Sequence, residues 1–294
     1  MPLGARPWRR VHRSFEKYRR NVCESRSHHR LNAGREVALS SLEFSLTHVI
    51  FLITAGIVAG VIGSAGGITS LVSYPALLAI GIAPLPANVT NVVALVGSFP
   101  GSALGSRPEL QGQLTWLRRW APMAAAGGVL GVVLLLLTPS HVFNHLVPFL
   151  LLAAATLLLV QPSISRWHSA RKGRDSDLIL GVGIFAVSAY SGYFGAGSGI
   201  MVLALLLITV DESYPMANAL KNMIVGVSVV VAAAGYLLFG PVRLAAALLL
   251  GVGLFVGSIL GPKVARRLPG NVLRLFAAVL GIGLAIWLFV SPGS

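Results

Sequence analysis

The sequence predicts an all-α polytopic membrane protein made of two homologous repeats. Of its 294 residues, 55% are hydrophobic and only 11% are charged, whereas an average soluble domain carries about 25% charged residues. The mean hydropathy is +0.79, and the apolar residues fall into two successive sets of long runs. Water does not solvate so apolar a chain as one globule, which excludes a soluble enzyme and a nucleic-acid-binding domain.

The first 45 residues differ from the rest because they hold ten of the 23 Lys and Arg residues. Apolar side chains recur there at helical spacing, at Trp8, Val11, Phe15, Tyr18 and Val22. A basic amphipathic helix of this kind binds anionic lipids at a membrane surface. We therefore predict a basic cytoplasmic arm over residues 1–45. A disordered tail, or an extension upstream of a true start near Leu39, is the alternative.

Two sets of five apolar runs follow, separated by a polar linker at 162–177. We predict one membrane repeat over 46–161 and a second over 178–294. The first two runs of each set are shorter than the roughly 20 residues that span a bilayer. Only glycine-rich residues separate them, so each set is expected to open with a glycine-broken or re-entrant helix pair. The runs lie at 46–63, 67–83, 88–105, 120–138 and 142–161, and then at 179–194, 198–210, 216–239, 243–261 and 271–290.

The basic loops predict the number of crossings, because Lys and Arg are enriched in short cytoplasmic loops. If each opening pair makes one net crossing, the loops at 106–119, 162–177 and 240–243 lie on the same side as the arm. Only the basic residues at 263–267 are then misplaced. The pattern predicts about eight net crossings in the cytoplasmic membrane, with both ends inside.

Matching motifs indicate an internal duplication. GSAGGI at 63–68 matches GAGSGI at 195–200 with an offset of 132, and ANVTN at 87–91 matches ANALKN at 217–222 with one inserted residue. Gly127 and Gly131 match Gly257 and Gly261. Transporters are commonly built from such repeats, with the substrate near the midplane where broken helices meet. Chance matching in a Gly-, Ala- and Leu-rich chain is the alternative.

These motifs resemble those of the TauE/SafE family of sulfite-exporter-like permeases. The similar segments are GSAGGITSLVSYPALLAIG at 63–81, GAGSGIMVLALLLI at 195–208, and the paired ANVTN and ANALKN. The resemblance covers about 46–290 and leaves the arm outside. It implies export or uptake of small sulfur-containing or organic anions across the cytoplasmic membrane. The glycine breaks depart from the family's more regular glycine run, which leaves the choice of anion open.

One buried cation agrees with an anionic substrate. Lys221 is the only Lys or Arg in the apolar body that is away from the end of a run, and no run contains Asp or Glu. A lysine inside the bilayer costs about 2.5–3.5 kcal/mol and so faces a cavity or a partner. The alternative is that Lys221 extends to the interface or pairs with Glu212.

The glycine breaks add a second feature that suits an anion. A helix that restarts after a glycine presents unpaired N–H groups and the positive end of its dipole, and nearby hydroxyl and amide groups add hydrogen-bond donors. Close helix packing is the alternative role of these glycines. We predict a substrate site formed by Gly66, Gly67, Thr69, Asn91, Ser198, Gly199, Lys221 and Asn222.

The predicted function is a secondary-active permease for small anions, such as sulfite or organosulfonate-like compounds. No catalytic residues, metal site or cofactor are predicted; the AGSG turn at Ser198 has no histidine in its repeat to activate the serine. The expected partners are a small anion and the lipid bilayer, without nucleic acid. A passive anion channel and a membrane scaffold without transport remain alternative functions.

Overall fold

The computed structural model of the protein describes residues 46–150, 152, 176–210 and 213–265. Within these ranges the regular structure is entirely helical, which confirms the predicted all-α class. The predictions for the arm at 1–45, for most of the linker and for the last run at 271–290 concern residues outside this description.

The first set of runs forms seven helices. Their bounds are α1 Leu46–Gly66, α2 Ser70–Ala79, α3 Pro84–Leu95, α4 Ser98–Gly105, α5 Arg107–Leu110, α6 Leu114–Leu137, and α7, which is described at residues 140–150. The break between α1 and α2 falls at Gly67, whose φ is +81°. Because L-residues with a side chain rarely adopt this left-handed conformation, glycine ends the helix here. The predicted break at the start of this set is confirmed.

The second set forms four described helices, α8 Ser176–Tyr193, α9 Ser198–Thr209, α10 Tyr214–Phe239 and α11 Leu244–Ala265. Two left-handed glycines, Gly195 at +80° and Gly197 at +77°, separate α8 from α9. Pro215 lies in the first turn of α10, where its missing N–H group costs nothing. The glycine-broken helix pair predicted for this set is therefore also present.

Four of the described helices, α1, α6, α10 and α11, are long and apolar enough to cross a membrane. Each carries large hydrophobic side chains on its exposed face, for example Val58 on α1 and Leu134 on α6. Exposed apolar faces of this length suit the hydrocarbon of a bilayer. The chain is a multi-pass membrane protein.

Glycine-mediated contacts show the relative direction of α1 and α11. A Cβ atom at Gly60 would lie 2.6 Å from the Leu254 carbonyl oxygen, and Gly56 likewise faces Leu250 and Gly253. The residue numbers rise together along both helices, so α1 and α11 are parallel. Close backbone approach through small residues is the usual way in which membrane helices associate.

The helix α4 contacts α11 through a second set of glycines. Gly101 faces Phe255, and a Cβ atom at Gly105 would lie 2.6 Å from the Ile259 carbonyl oxygen. The numbers again rise together, so α4 runs parallel to α11 and therefore to α1. Near the start of α11, the Arg243 backbone N–H donates to the Thr90 hydroxyl of α3 at 3.0 Å.

The helices α6, α8 and α10 form a second parallel group. Gly127 and Gly131 of α6 face Phe185 and Ala189 of α8. The Ser228 hydroxyl of α10 donates to the Ser188 carbonyl of α8 at 3.1 Å. One helical turn further along α8 and two along α10, the Tyr236 hydroxyl donates to the Gly192 carbonyl.

The two groups run in opposite directions, because the short turn at 240–243 joins α10 to α11. We call the end of the bundle at loop 106–113 the Gln111 face and the end at loop 240–243 the Arg243 face. The helices α1, α3 and α11 begin at the Arg243 face. The helices α6, α8 and α10 begin at the Gln111 face, where Arg119 and Asp177 form an exposed ion pair at 2.8 Å.

This arrangement corrects the predicted path of the opening helix pairs. The helix α1 runs away from the Arg243 face, but α3 begins at that face, so α2 returns the chain to the side from which α1 came. In the same way α9 returns the chain to the Gln111 face, where α10 begins. The single net crossing predicted for each pair is wrong because loop charges carry no information about helices that turn back inside the bundle.

As a result, the basic loop residues are distributed between the two faces differently from the prediction. Arg107, Arg118, Arg119 and Lys263 of the described residues lie at the Gln111 face, whereas Arg243 lies at the opposite face. Lys263, which the eight-crossing scheme misplaces, now shares a face with the other basic loop residues.

We expect cysteines at Gln111 and Lys263 to lie on one side of the membrane and a cysteine at Pro241 to lie on the other. All three positions are exposed, and replacing the single native cysteine, Cys23, by serine leaves no background thiol. Labelling by a membrane-impermeant maleimide before and after permeabilisation measures the side. Equal labelling at positions 111 and 241 in sealed cells would contradict the helix directions described above.

We expect Gly60→Leu to lower the free energy of unfolding by roughly 1–3 kcal/mol, because overpacking forces closely packed elements apart. The leucine Cβ atom would overlap the Leu254 carbonyl oxygen of α11. The matched control is Val58→Leu on the exposed side of the same helix. Thermal unfolding of the purified protein in detergent should separate the two variants, and equal midpoints would refute the glycine contact.

Candidate substrate site

The two glycine breaks meet each other inside the bundle. A Cβ atom at Gly67 would lie 2.6 Å from the Gly199 carbonyl carbon, and one at Gly199 would lie 2.6 Å from the Gly67 Cα atom. The backbones therefore touch at two positions where no side chain fits. The sequence predicted that both breaks contribute to one site, and this contact brings them together.

A cavity of about 50 Å³ lies beside this contact, with room for a small polyatomic ligand or a few water molecules. Besides residues of the two breaks, Lys221 on α10 and Ser102 on α4 line it. Its lining residues are Gly63, Ser64, Gly67, Thr69, Ser70, Leu95, Ser98, Phe99, Ser102, Ser191, Gly195, Ser198, Gly199, Lys221, Asn222, Val225, Gly226 and Val229.

Lys221 lines this cavity and is only 1% exposed, so its side chain does not extend to the interface. It is the eighth residue of α10, roughly 10 Å from the start of the helix. Its ammonium group donates to the Asn218 side-chain oxygen at 2.8 Å and to the Gly63 carbonyl at 3.4 Å. An ammonium group has three N–H donors, so one is left for a ligand in the cavity.

Three other polar side chains, all in the first part of α10, bind the C-terminal end of α1. The amides of Asn218 and Asn222 donate to the Ser64 carbonyl at 3.0 and 3.1 Å, and the Tyr214 hydroxyl donates to the Ala65 carbonyl at 3.3 Å. Carbonyl groups at the end of a helix lack helical partners and carry its negative dipole charge. A buried lysine and two amides at this end therefore satisfy backbone groups that lipid cannot.

The hydroxyl groups of the site come from both breaks. The helix α2 begins at Ser70 and α9 begins at Ser198, and both residues line the cavity together with Thr69. The Ser198 hydroxyl donates to the Gly195 carbonyl at 2.9 Å and lies 3.2 Å from the Ser191 hydroxyl. Among the described residues, the lining thus combines one cation, two helix N-termini and several hydroxyl groups, without a carboxylate.

The structure brings six of the eight predicted residues to the cavity, namely Gly67, Thr69, Ser198, Gly199, Lys221 and Asn222. Asn91 lies one layer behind it. Its side chain accepts a hydrogen bond from Ser73 at 2.6 Å and donates to Ser70 at 3.2 Å, so it positions a lining residue. Gly66 is the last residue of α1 and does not line the cavity.

Sequence reasoning missed Asn218, which holds the ammonium group of Lys221. The signal was available, because Asn218 and Lys221 lie three residues apart on one helix and so share a face. It also missed Ser98 and Ser102 of α4. Serines are too common in an apolar chain for their spacing to mark a site.

The helical membrane architecture and the buried polar cavity are those expected of a polytopic membrane transporter. Comparison with known proteins identifies the family. The model of the sulfite exporter TauE/SafE family matches residues 50–288. The chain therefore belongs to this family, as its motifs indicated.

Three relatives are named as transporters. The chain is 30% identical over 258 residues to a probable membrane transporter protein, ORF9, of a Sinorhizobium species, covering 86% of this chain and 96% of the relative. It is 24% identical to a probable membrane transporter protein of Haemophilus influenzae, covering 81% and 93%. It is also 24% identical to the probable membrane transporter protein YfcA of Escherichia coli, covering 78% and 84%. No solved structure matches the chain significantly.

We expect Gly199→Ala to destabilise the protein by about 1–3 kcal/mol, because the added methyl group would overlap the Gly67 backbone. The control is Gly66→Ala, whose Cβ atom would meet only the Ile68 side chain at 3.9 Å. Thermal unfolding in detergent compares the two. A wild-type midpoint for Gly199→Ala would mean that the breaks do not touch.

Proposed function

We propose that this protein is a secondary-active permease that moves a small anion, such as sulfite or an organosulfonate, across the cytoplasmic membrane. The observation that carries the proposal is the position of Lys221. Its ammonium group is buried, lines the cavity and keeps one N–H donor for a ligand. Since the described residues of the lining include no carboxylate, the anion itself supplies the opposite charge.

The remaining lining groups suit an oxyanion. The helices α2 and α9 present their N-termini at the cavity, and helix N-termini favour negative charge. Serine and threonine hydroxyls from both breaks donate hydrogen bonds to oxygen atoms. The family's description as sulfite exporters supports sulfite as the first anion to test.

We further propose that the two repeats have opposite orientations in the membrane. The contact of α1 with α11 recurs as the contact of α8 with α6, each between parallel helices and each through glycines. An ungapped offset of 130 aligns Asn88 with Asn218. Asn88 donates to the Tyr193 carbonyl of α8, and Asn218 donates to the Ser64 carbonyl of α1. Inverted repeats of this kind allow alternating access around a central site.

In this scheme the described helices of the second repeat, α8 to α11, make two net crossings, because α8 and α9 together make none. The basic residues at the Gln111 face support a cytoplasmic location for that face.

We expect Lys221→Ala to lower sulfite flux by about tenfold or more, since a hydrogen bond to a charged group contributes about 1.5–3 kcal/mol. Asn222→Ala, which removes a neighbouring polar group from the cavity, should also slow flux. The matched control is Lys263→Ala, which removes an exposed cation far from the cavity. The measurement is flux of radiolabelled sulfite into proteoliposomes that contain purified protein.

Thiosulfate, sulfoacetate, sulfate and small carboxylates are the competitors in the same assay. Uptake against a concentration gradient supports a transporter, whereas flux that only dissipates the gradient indicates a passive channel. Folded Lys221→Ala and Asn222→Ala proteins with normal flux would overturn the assigned site. Absence of flux for every anion would favour a scaffold without transport.

A further inference from the structure

The C-terminal ends of α1 and α8, the helices that precede the two breaks, have different polar partners. At the end of α1, Asn218 donates through its amide to the Ser64 carbonyl and accepts through its oxygen from the Lys221 ammonium group. This end of the helix, with its negative dipole charge, therefore has a cation beside it. Lys221, a residue of the chain itself, supplies that cation.

At the end of α8, Asn88 makes the corresponding amide contact without the cation. Its side chain is 0% exposed, and its amide donates to the Tyr193 carbonyl at 2.9 Å. Its oxygen atom is buried and has no hydrogen-bond partner among the described residues. A buried carbonyl oxygen without a partner costs about 1–3 kcal/mol, so this atom requires an explanation.

The residue that corresponds to Lys221 explains the difference. At the offset that aligns Asn88 with Asn218, Lys221 aligns with Asn91. Asn91 does not reach Asn88; its side chain is bound to Ser70 and Ser73 of α2. The last turn of α8 contains no basic residue either. At this end the Gly192 and Tyr193 carbonyls accept hydrogen bonds from the Tyr236 hydroxyl and the Asn88 amide, and the Asn88 oxygen has no partner among the described residues.

We propose that the Asn88 oxygen binds a sodium ion at the end of α8, together with the second lone pairs of the Gly192 and Tyr193 carbonyls. This ion would take the place that the Lys221 ammonium group has at the end of α1. Neutral amide and carbonyl oxygens at the end of a broken helix are ligands that transporters use for Na⁺. Divalent cations usually require carboxylates. The Asn88 amide does not titrate, so it cannot bind and release a proton as a coupling ion. These properties select a monovalent metal cation.

The sodium site is coupled to the cavity through α8 and its break. Ser191 of α8 and Gly195 of the break line the cavity, and both lie within two residues of Tyr193. A bound Na⁺ would order this turn and add a second positive charge near the anion. The inference rests on the proposed function, in which the anion binds at this cavity, and it names Na⁺ as the coupling ion.

Binding of ²²Na⁺ to the purified full-length protein in detergent tests the site without any anion. We expect saturable binding to the wild-type protein and at least about tenfold weaker binding to Asn88→Ala, because a direct ligand is lost. Asn218→Ala is the matched control, since the partner of its oxygen is Lys221, and it should bind Na⁺ like the wild type. Thermal stability in NaCl, compared with choline chloride at equal ionic strength, should follow the same order.

Asn88→Asp keeps an oxygen atom at the site and adds negative charge, so we expect it to bind Na⁺ several-fold more tightly. If Asn88→Ala does not fold, this variant decides the matter, and unchanged affinity overturns the proposal. Absence of ²²Na⁺ binding to the wild type also overturns it, as does equal binding to a folded Asn88→Ala, and either result would mean that water satisfies the Asn88 oxygen.

The same preparations separate this inference from the proposed function. Sulfite flux in proteoliposomes is measured with Na⁺ or choline outside. Na⁺ binding without flux of any anion would support the cation site and reject the permease. Anion flux that depends on Lys221 but not on Na⁺, from protein that binds no ²²Na⁺, would reject the cation site alone.

Discussion

The contact between Gly67 and Gly199 is the constraint on which the rest of this structure depends. Both positions must lack a side chain, because the two backbones approach to distances that a Cβ atom would occupy. Two helices are thereby interrupted in the same place, inside an apolar bundle where water does not satisfy the freed backbone groups. The polar residues of the bundle are placed by that requirement. Asn218 and Asn222 of α10 bind the end of α1, and Asn88 of α3 binds the end of α8.

The groups that satisfy the helix ends also make a binding site. A helix that stops leaves carbonyl oxygens, and a helix that restarts leaves N–H groups, so each break presents a negative and a positive end within a few residues. Lys221 is held by Asn218 and Gly63 at the negative end of α1, and its remaining donor serves the cavity that the helix N-termini also border. Structural and functional roles are thus combined in one side chain.

Much of the candidate site could be predicted because intramembrane polarity is rare. Lys221 stands alone among apolar residues, and the glycine-rich breaks are conspicuous beside uniform helices. Asn91 was assigned to the site on the same grounds, yet its amide is occupied by Ser70 and Ser73. An asparagine in an apolar run indicates a buried polar group, but the sequence does not show which residue binds it. The insertion assumed between ANVTN and ANALKN pairs Asn91 with Asn222, whereas the ungapped alignment of the proposed repeats pairs Asn91 with Lys221.

The sequence by itself determined that this chain is a helical membrane protein of the sulfite exporter TauE/SafE family, with breaks at two glycine-rich motifs and one cation inside the bilayer. Composition and local backbone preference are properties of short segments, which is why they can be read from the chain. The tertiary structure alone decided that α2 and α9 turn back, that the two breaks touch, and that α1 and α8 run in opposite directions. These features depend on contacts between residues more than one hundred positions apart, and loop charges report only which ends reach a membrane face.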